Sequence, residues 1–194
     1  KFNQKNKEVP RKIIHIGIGP LVPIAKYLNI EQSSALIFAG IISLLVFINY
    51  LYKLFPNIED IDRKSYGTSF YCLGLFILIM LFWEKDPNAL IAGFFIMSFG
   101  DGLAGLIGKQ FESKRWFFLN QEKSFFGTGT MFFTSLIIIV SLGFITKNSL
   151  NINYVIIALI ATLLEQFSFI GIDNLIVPVA TAICFNLFVT NYVS

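Results

Sequence analysis

The chain has 194 residues, of which 55% are hydrophobic and only 14% charged, and its formal net charge is +3. Soluble domains carry about 25% charged residues, so this chain has too little polar surface to cover a water-soluble globule. The composition excludes an ordinary soluble domain, a disordered segment and a basic nucleic-acid-binding module, and it predicts an integral membrane protein with several spans.

Seven stretches of the chain approach the length of about 20 predominantly apolar residues that a membrane-crossing helix needs. The first is short and is interrupted by two glycines and two prolines, which fits either a kinked span or a re-entrant segment. No strand pattern with a period of two competes with the helices. We therefore predict an all-α, polytopic membrane protein in which residues 1–194 form one domain and residues 1–12 a basic cytoplasmic arm. The stretches are Ile13–Leu28, Ser33–Tyr52, Tyr66–Trp83, Ala89–Ile107, Phe125–Ile145, Ile152–Ile170 and Ile172–Thr190.

The distribution of lysine and arginine predicts the orientation, because these residues accumulate in cytoplasmic loops. With seven spans and a cytoplasmic N-terminus, twelve of the fifteen lysines and arginines lie on the cytoplasmic side and three on the other. The cytoplasmic loops are also the longer ones, so a soluble anionic partner is expected on that face. The membrane is predicted to be a bacterial inner membrane or a thylakoid.

Basic residues stand at the entrance of the first and third spans. Arg11 and Lys12 precede the first span, and His15 lies one helical turn after Arg11, on the same face. Arg63 and Lys64 precede the third in the same way. Arg11, Lys12 and His15 are candidates for phosphate contact, whereas the pair before the third span fits an interfacial anchor with Tyr66 in the aromatic belt. Two simpler explanations stay open, namely topology-setting charges for the basic residues and a satisfied buried histidine for His15.

The fourth span carries an aspartate, Asp101, in the glycine-rich run Ser98-Phe99-Gly100-Asp101-Gly102-Leu103-Ala104-Gly105-Leu106-Ile107-Gly108-Lys109. A charge inside a span costs roughly 2.5–3.5 kcal/mol on insertion scales, so it requires a reason. Small residues alone are explained by helix packing, but packing does not explain the carboxylate. Glycines around an acid suit the close approach of a phosphate with its metal ion. Gly100, Gly108 and Lys109 are therefore predicted phosphate-binding residues.

The fifth span opens with a lysine, hydroxyl groups and glycines, in Lys123-Ser124-Phe125-Phe126-Gly127. Free N–H groups, the positive end of the helix dipole and a lysine form a plausible phosphate site. The spacing is not that of a Walker A loop. Lys123 is predicted to be catalytic, and Ser124 and Gly127 to bind phosphate.

Two further acids lie at the predicted cytoplasmic level, Glu165 near the end of the sixth span and Asp173 before the seventh, followed by Asn174. Glu165 could simply extend to the interface, and Asp173 could cap the seventh helix. Together with Asp101 they could instead bind Mg²⁺, which takes carboxylate, phosphate and water oxygens. Asp101, Glu165 and Asp173 are predicted to be catalytic residues and metal ligands, and Asn174 is a predicted nucleotide contact.

Taken together, these segments resemble the CTP-dependent lipid-alcohol kinases, which include dolichol kinase, phytol kinase and the CTP-using diacylglycerol kinase, and the likeness is strongest to the phytol kinase branch. It extends from about residue 11 to 180. The residues that carry it are Arg11-Lys12, His15, Lys64-Ser65-Tyr66-Gly67, Gly100-Asp101, Ala104, Gly108, Lys123-Ser124, Gly127, Thr162, Glu165, Asp173-Asn174 and Pro178. One position departs from the pattern, because Ile172 stands where many relatives have a second acid before the asparagine.

The resemblance implies transfer of a phosphoryl group from CTP, with Mg²⁺, to the hydroxyl of a long-chain alcohol such as phytol, geranylgeraniol or a polyprenol. It implies that Asp101 is a metal ligand or the base, that Lys123 and Ser124 hold phosphates, and that Glu165 and Asp173 complete the metal site. A phosphatidate cytidylyltransferase, a diacylglycerol kinase and a small transporter remain alternatives. The composition does not distinguish CTP from ATP, and the oligomeric state stays open.

Overall fold

The computed structural model describes residues 2–52, 66–118, 121–146 and 151–190, with side chains from Arg11 onward and that of Val9. In these ranges the chain forms nine α-helices and one small β-hairpin. A π-helical segment, Ile96–Asp101, joins the fifth α-helix to the sixth, and another, Asn186–Thr190, extends the ninth. The helices are α1 (Phe2–Ile18), α2 (Leu21–Tyr27), α3 (Gln32–Tyr52), α4 (Gly67–Phe82), α5 (Pro87–Phe95), α6 (Gly102–Gln110), α7 (Phe125–Ile145), α8 (Ile152–Gln166) and α9 (Asp173–Phe185).

Four of the helical stretches are long and apolar enough to cross a membrane, namely Gln32–Tyr52, Pro87–Gln110, Phe125–Ile145 and Asp173–Thr190, and α4 and α8 are shorter apolar helices. Large apolar side chains cover the outside of the fold, including Ile37 and Phe38, which are 65% and 67% exposed. Water-soluble proteins rarely expose apolar patches of this kind. The predicted all-α membrane class is thus supported, while the count of seven spans and the N-terminal orientation stay predictions.

The first predicted span is divided into two helices. α1 ends at Ile18 and α2 begins at Leu21, with Pro20 before it. Proline has no N–H to continue the hydrogen-bond ladder and disfavours a helical conformation of the residue before it, so helices often end just before a proline. The junction packs closely on the π-helical segment, since a Cβ atom on Gly19 would lie 3.0 Å from the Phe99 ring. The predicted basic arm is the beginning of helix α1, whose backbone is helical from Phe2.

A two-stranded antiparallel hairpin follows α6, and the sequence did not predict it. Strand β1 (Arg115–Phe118) pairs with β2 (Gln121–Ser124), with Trp116 opposite Lys123. The hairpin lies in the loop between the predicted fourth and fifth spans, so it replaces none of the predicted helices. Each strand has only four residues and lacks clear alternation of apolar and polar side chains, so its pairing is determined by the partner strand rather than by local periodicity. The hairpin delivers Lys123 and Ser124 to the start of α7.

The chain turns sharply between α8 and α9. Helix α8 ends at Gln166, four residues before the predicted end of the sixth span. Ile170 and Gly171 have positive φ angles of 56° and 85°, which favour glycine and strain a β-branched residue. The Ser168 hydroxyl accepts a hydrogen bond from the Asp173 N–H at 2.9 Å. This turn brings the beginning of α9 back beside the end of α8.

Close helix contacts hold α9 against α4 and α5. A Cβ atom on Gly74 of α4 would lie 2.7 Å from the Asn174 carbonyl oxygen, and one on Gly93 of α5 would collide with the Pro178 carbonyl oxygen. Both glycines therefore allow a backbone-to-backbone approach that alanine would prevent. The surrounding core is fully buried and includes Leu78, Leu90, Ile157 and Phe185. Asp173 and Asn174, the first two residues of α9, are consequently held by a closely packed helix.

Candidate active site

Buried charged side chains from five separate elements gather at one end of the helices. α1, the π-helical segment, β2, α8 and α9 each contribute to this group, which we call the polar cluster. Asp101, Glu165 and Asp173 are only 7–8% exposed, and Asn174 and His15 are 5% and 3% exposed. The polar cluster consists of Lys12, His15, Asp101, Lys123, Glu165, Asp173 and Asn174.

Lys12 and Asp101 form the first ion pair of the cluster. The Lys12 Nζ lies 2.5 Å from Asp101 Oδ2 and also donates to the Asp101 carbonyl oxygen at 3.3 Å. Their side chains are 12% and 10% exposed. Gly105 makes room for the lysine, since a Cβ there would lie 2.7 Å from Lys12 Cε. The sequence predicted phosphate contact for Lys12, but it did not predict this pairing across 89 residues.

Asp101 is the last residue of the π-helical segment between α5 and α6. Segments of this kind occur mostly as single turns inside α-helices and are frequent at functional sites. Gly100 packs on α7, where an added Cβ would lie 2.9 Å from the Met131 sulfur, and this contact accounts for its lack of a side chain. The glycines around Asp101 thus bring neighbouring helices close to the carboxylate.

Lys123 and Glu165 form the second ion pair. The Lys123 Nζ contacts Glu165 Oε1 and donates to the Glu165 carbonyl oxygen at 2.9 Å. The other carboxylate oxygen accepts a hydrogen bond from Gln166 Nε2 at 2.6 Å, and that amide also donates to Thr128 Oγ1 at 2.8 Å. Glu165 therefore points into the protein and does not extend to the surface.

Ser124 caps helix α7 at the junction with the hairpin. Its Oγ accepts a hydrogen bond from Gly127 N at 3.1 Å, as expected for an N-cap serine. Gly108 faces this junction, because a Cβ there would lie 2.5 Å from Ser124 Oγ and 3.2 Å from Gly127 Cα. Lys109 is half-buried in the last turn of α6. The predicted phosphate-binding residues of α6 and α7 therefore lie together, and their contact with phosphate stays a prediction.

Asp173 is the first residue of α9, and the N-cap position belongs to Ile172. The idea that Asp173 is the cap is therefore wrong, although its Oδ1 accepts a hydrogen bond from Asn174 N at 3.0 Å. An acid in the first turn is favoured by the helix dipole. The Asn174 side chain donates to the Gly171 carbonyl at 3.1 Å, while its Oδ1 is buried without a hydrogen-bond partner in the described structure.

The five charges of the cluster lie within electrostatic range of one another. Asp101 interacts with Lys12, His15 and Lys123, and Asp173 with Asp101 and both lysines. Glu165 interacts with Lys123 and with the other two acids. Three carboxylates thus face two ammonium groups at one end of the bundle.

The three predicted metal ligands do not form a ready-made metal site. Within the described ranges, no group of three or more His, Cys, Asp or Glu side chains is arranged to hold a metal ion. Asp101 and Glu165 each have a lysine partner, whereas no described lysine or arginine forms an ion pair with Asp173. Asp173 and the unpartnered Asn174 Oδ1 do offer adjacent oxygen donors, which suits Mg²⁺ bound through one or two protein ligands plus phosphates.

Sequence reasoning missed Tyr71, which contacts His15, and Ser98, which contacts Tyr71. The His15 ring stacks on the Tyr71 ring of α4, with centroids 4.2 Å apart, and the Tyr71 hydroxyl lies 2.8 Å from Ser98 Oγ. A tyrosine inside an apolar span carries no sequence signal of such a role, whereas Ser98 lies only three residues before Asp101. Arg11, on the same helix, is half-buried, and its Nε has no partner among the described residues.

Comparison with known proteins decides the family. No family model matches the chain. The phytol kinase of the cyanobacterium Synechocystis sp. is 37% identical over 183 residues, which cover 91% of this chain and 77% of that protein. The chain belongs to the phytol kinase family. Probable chloroplastic phytol kinases of Glycine max and Zea mays are 28% and 27% identical, and each alignment covers 95% of this chain and 67% and 68% of the relative. No solved structure matches.

The resemblance predicted from the sequence is thus confirmed at the level of the phytol kinase family. The motif residues Lys12, His15, Asp101, Lys123, Glu165, Asp173 and Asn174 meet in the polar cluster, and Gly108, Ser124 and Gly127 meet at the α6–α7 junction. Arg63, Lys64 and Ser65 lie outside the described residues. In this member of the phytol kinase family, Asp101 pairs with Lys12 and Glu165 with Lys123, and no local sequence pattern encodes these pairs.

Proposed function

We propose that the chain transfers a phosphoryl group from CTP to the hydroxyl of a long-chain isoprenoid alcohol, at the cytoplasmic face of the membrane. Membership of the phytol kinase family supports the reaction class, and the resemblance of the motifs implies CTP as donor. The observation that carries the proposal is the convergence of two buried lysine–carboxylate pairs and Asp173 at one end of an apolar helix bundle. Buried charges of this kind in membrane helices are costly and serve function by default.

The lysines would bind the donor phosphates. Lys12 and Lys123 each donate to a carboxylate in the structure, and phosphate oxygens are acceptors of the same kind. An entering triphosphate would therefore take over these hydrogen bonds and release Asp101 and Glu165. The N-terminus of α7 behind Ser124 would add backbone N–H groups and the positive end of its dipole.

Asp101 would accept the proton of the alcohol. In the transfer step the alcohol oxygen attacks the γ-phosphorus, the bond to the β,γ-bridging oxygen breaks, and CDP leaves with that electron pair. The hydroxyl proton passes to Asp101 Oδ2 once the Lys12 ammonium has exchanged this carboxylate for a donor phosphate as its hydrogen-bond partner. A positioned base of this type contributes about 10²–10⁴-fold to a rate, and the remaining acceleration comes from positioning and charge neutralisation.

Mg²⁺ would be held by Asp173, with the Asn174 Oδ1 beside it and Glu165 within electrostatic range. The bound ion would supply neutralisation of the phosphate charge. The chain's own contribution is to keep these oxygens buried and fixed, through the Ser168 hydrogen bond to Asp173 N and the packing of α9 on Gly74.

The orientation of the chain in the membrane is part of the proposal. Lys12 and Ile16 of α1 contact Gly105 and Gly102 of α6, so α1 runs antiparallel to α6 and the N-terminal residues share an end with the hairpin. With the excess of lysine and arginine on that side, we place this end in the cytoplasm. The alcohol's tail would lie among the helices with its hydroxyl at the level of Asp101.

The test uses membranes that contain the chain, Mg²⁺ and a panel of phytol, geranylgeraniol, a polyprenol and diacylglycerol, with γ-labelled CTP and, separately, γ-labelled ATP. Label is expected in an isoprenoid alcohol, with CTP preferred. Label in diacylglycerol alone would show that the acceptor is diacylglycerol and not an isoprenoid alcohol. CDP-lipid formation from α-labelled CTP and phosphatidic acid, without γ-transfer, would replace the kinase by a cytidylyltransferase. If well-inserted protein forms no labelled product in any of these assays, a transport function would be favoured over an enzyme.

Replacing Asp173 with asparagine is expected to raise the Mg²⁺ concentration for half-maximal activity about tenfold or more, because one anionic oxygen donor is lost. The measurement is activity against total Mg²⁺ at saturating CTP and alcohol. Asp86→Asn is the matched control, since Asp86 is likewise a buried aspartate at the beginning of a helix. An unchanged Mg²⁺ requirement in Asp173→Asn would contradict the metal role.

A further inference from the structure

His15 is a buried side chain whose hydrogen-bonding capacity is unused. It is 3% exposed, and neither Nδ1 nor Nε2 has a hydrogen-bond partner in the described structure. A neutral imidazole has one donor and one acceptor nitrogen. A buried polar group without a partner costs roughly 1–3 kcal/mol, so its presence calls for an explanation such as an absent ligand.

The neighbours of His15 are arranged to hold its ring in place. The ring stacks on Tyr71, whose hydroxyl donates back to the His15 carbonyl oxygen at 3.1 Å. Because a carbonyl only accepts, the Tyr71 proton is used there, and the 2.8 Å contact with Ser98 is then made by the Ser98 proton. Ser98 Oγ consequently keeps acceptor capacity, and the imidazole has a fixed orientation.

His15 also lies beside the acid assigned to the chemistry. It is three residues after Lys12 on α1, and the Lys12 Nζ contacts Asp101. His15 and Asp101 lie within electrostatic range. Ser98, which completes the Tyr71 contact, is on the same π-helical segment as Asp101. The His15 ring therefore lies within electrostatic range of the carboxylate that would take the alcohol proton.

The helix that carries His15 and the helix after it expose apolar side chains. On α1 and α2, the side chains of Ile13, Ile14, Leu21 and Ile24 are 50–57% exposed. A polar group embedded next to an exposed apolar surface suits a molecule that is hydrocarbon apart from one hydroxyl. A triphosphate, with its several negative charges, has no such match to a buried neutral ring.

We propose that His15 hydrogen-bonds the hydroxyl of the acceptor alcohol and holds it beside Asp101, with Tyr71 and Ser98 fixing the imidazole. The inference rests on the proposed kinase function and deepens it, because it assigns the acceptor side of the site. It replaces phosphate contact, which the sequence predicted for His15, by contact with the lipid substrate.

The experiment compares His15→Phe, His15→Gln and His15→Asn in nanodiscs, by steady-state kinetics and by direct binding of tritiated phytol and geranylgeraniol without nucleotide. Phenylalanine keeps a ring to stack on Tyr71 and removes both nitrogens. Glutamine places an amide near Nε2 and asparagine near Nδ1, so one of them is expected to restore part of the function. Tyr154→Phe is the control, because Tyr154 is also 3% exposed but lies in α8 near its start.

We expect His15→Phe to weaken alcohol binding and raise the alcohol KM at least tenfold, with the CTP KM changed less than twofold. A raised CTP KM with unchanged alcohol binding would overturn the proposal in favour of phosphate contact. Equal losses for both substrates with a lower melting temperature, and no rescue by glutamine or asparagine, would reduce His15 to a structural residue. If wild-type protein phosphorylates no alcohol, the proposed function fails, and the binding arm still decides the role of His15.

Discussion

Asp101→Asn is expected to reduce phosphoryl transfer roughly 10³-fold or more while leaving membrane insertion intact. Asparagine has the shape of aspartate but cannot take the proton of the alcohol. The measurement is the rate of label transfer from γ-labelled CTP at saturating alcohol. Retained activity would show that Asp101 is neither the base nor an essential ligand.

The structure also indicates how to separate this loss from misfolding. Asp101 is paired with Lys12 inside the protein, and removing one partner of a buried pair can cost about 3–5 kcal/mol. The double variant Lys12→Met/Asp101→Asn removes both charges and is expected to recover stability without recovering activity. Asp86→Asn is the control on the same continuous helical stretch, about 22 Å from Asp101 at 1.5 Å per residue. Asp86 caps α5 through a 3.0 Å bond to Ala89 N, and asparagine caps equally well.

The helices follow closely from hydropathy where local signals agree with it. The prediction Phe125–Ile145 coincides with α7 because Ser124 supplies an N-cap at the beginning of the apolar run. α8 is shorter than predicted because Glu165, Gln166 and Ser168 form contacts within the polar cluster and the following turn. A hydropathy average over about 20 residues does not resolve such a polar end.

The residues of the candidate site could be predicted, but their partners could not. A carboxylate inside a span is recognisable from sequence alone because burial of a charge is costly. Which lysine neutralises it depends on how α1 packs on α6 and where the hairpin leads the chain, and both are tertiary features. The stacking of Tyr71 on His15 joins residues 56 positions apart. The π-helical segment before Asp101 likewise has no counterpart in a 3.6-residue pattern.

Lys123→Met is expected to raise the CTP KM about 10- to 100-fold and the alcohol KM much less, because hydrogen bonds to charged groups contribute about 1.5–3 kcal/mol. The measurement is the full dependence of transfer on both substrates. Lys26→Met is the matched control, since Lys26 is also partly buried but donates to the Trp83 carbonyl oxygen at 3.0 Å. A larger change in the alcohol KM would move Lys123 to the lipid side of the site.

The alternative to be excluded is that Lys123 only neutralises Glu165. Methionine leaves that carboxylate buried without its counterion, so the single variant loses stability as well as phosphate contact. In Lys123→Met/Glu165→Gln the uncompensated charge is absent, and the amide can still accept the hydrogen bond from Gln166 that Glu165 accepts at 2.6 Å. We expect the melting temperature of the double variant to return toward that of the wild type while the CTP KM stays high. If the CTP KM returned as well, Lys123 would be a structural partner of Glu165, and the donor phosphates would have to be held by Lys12 and the N-terminus of α7.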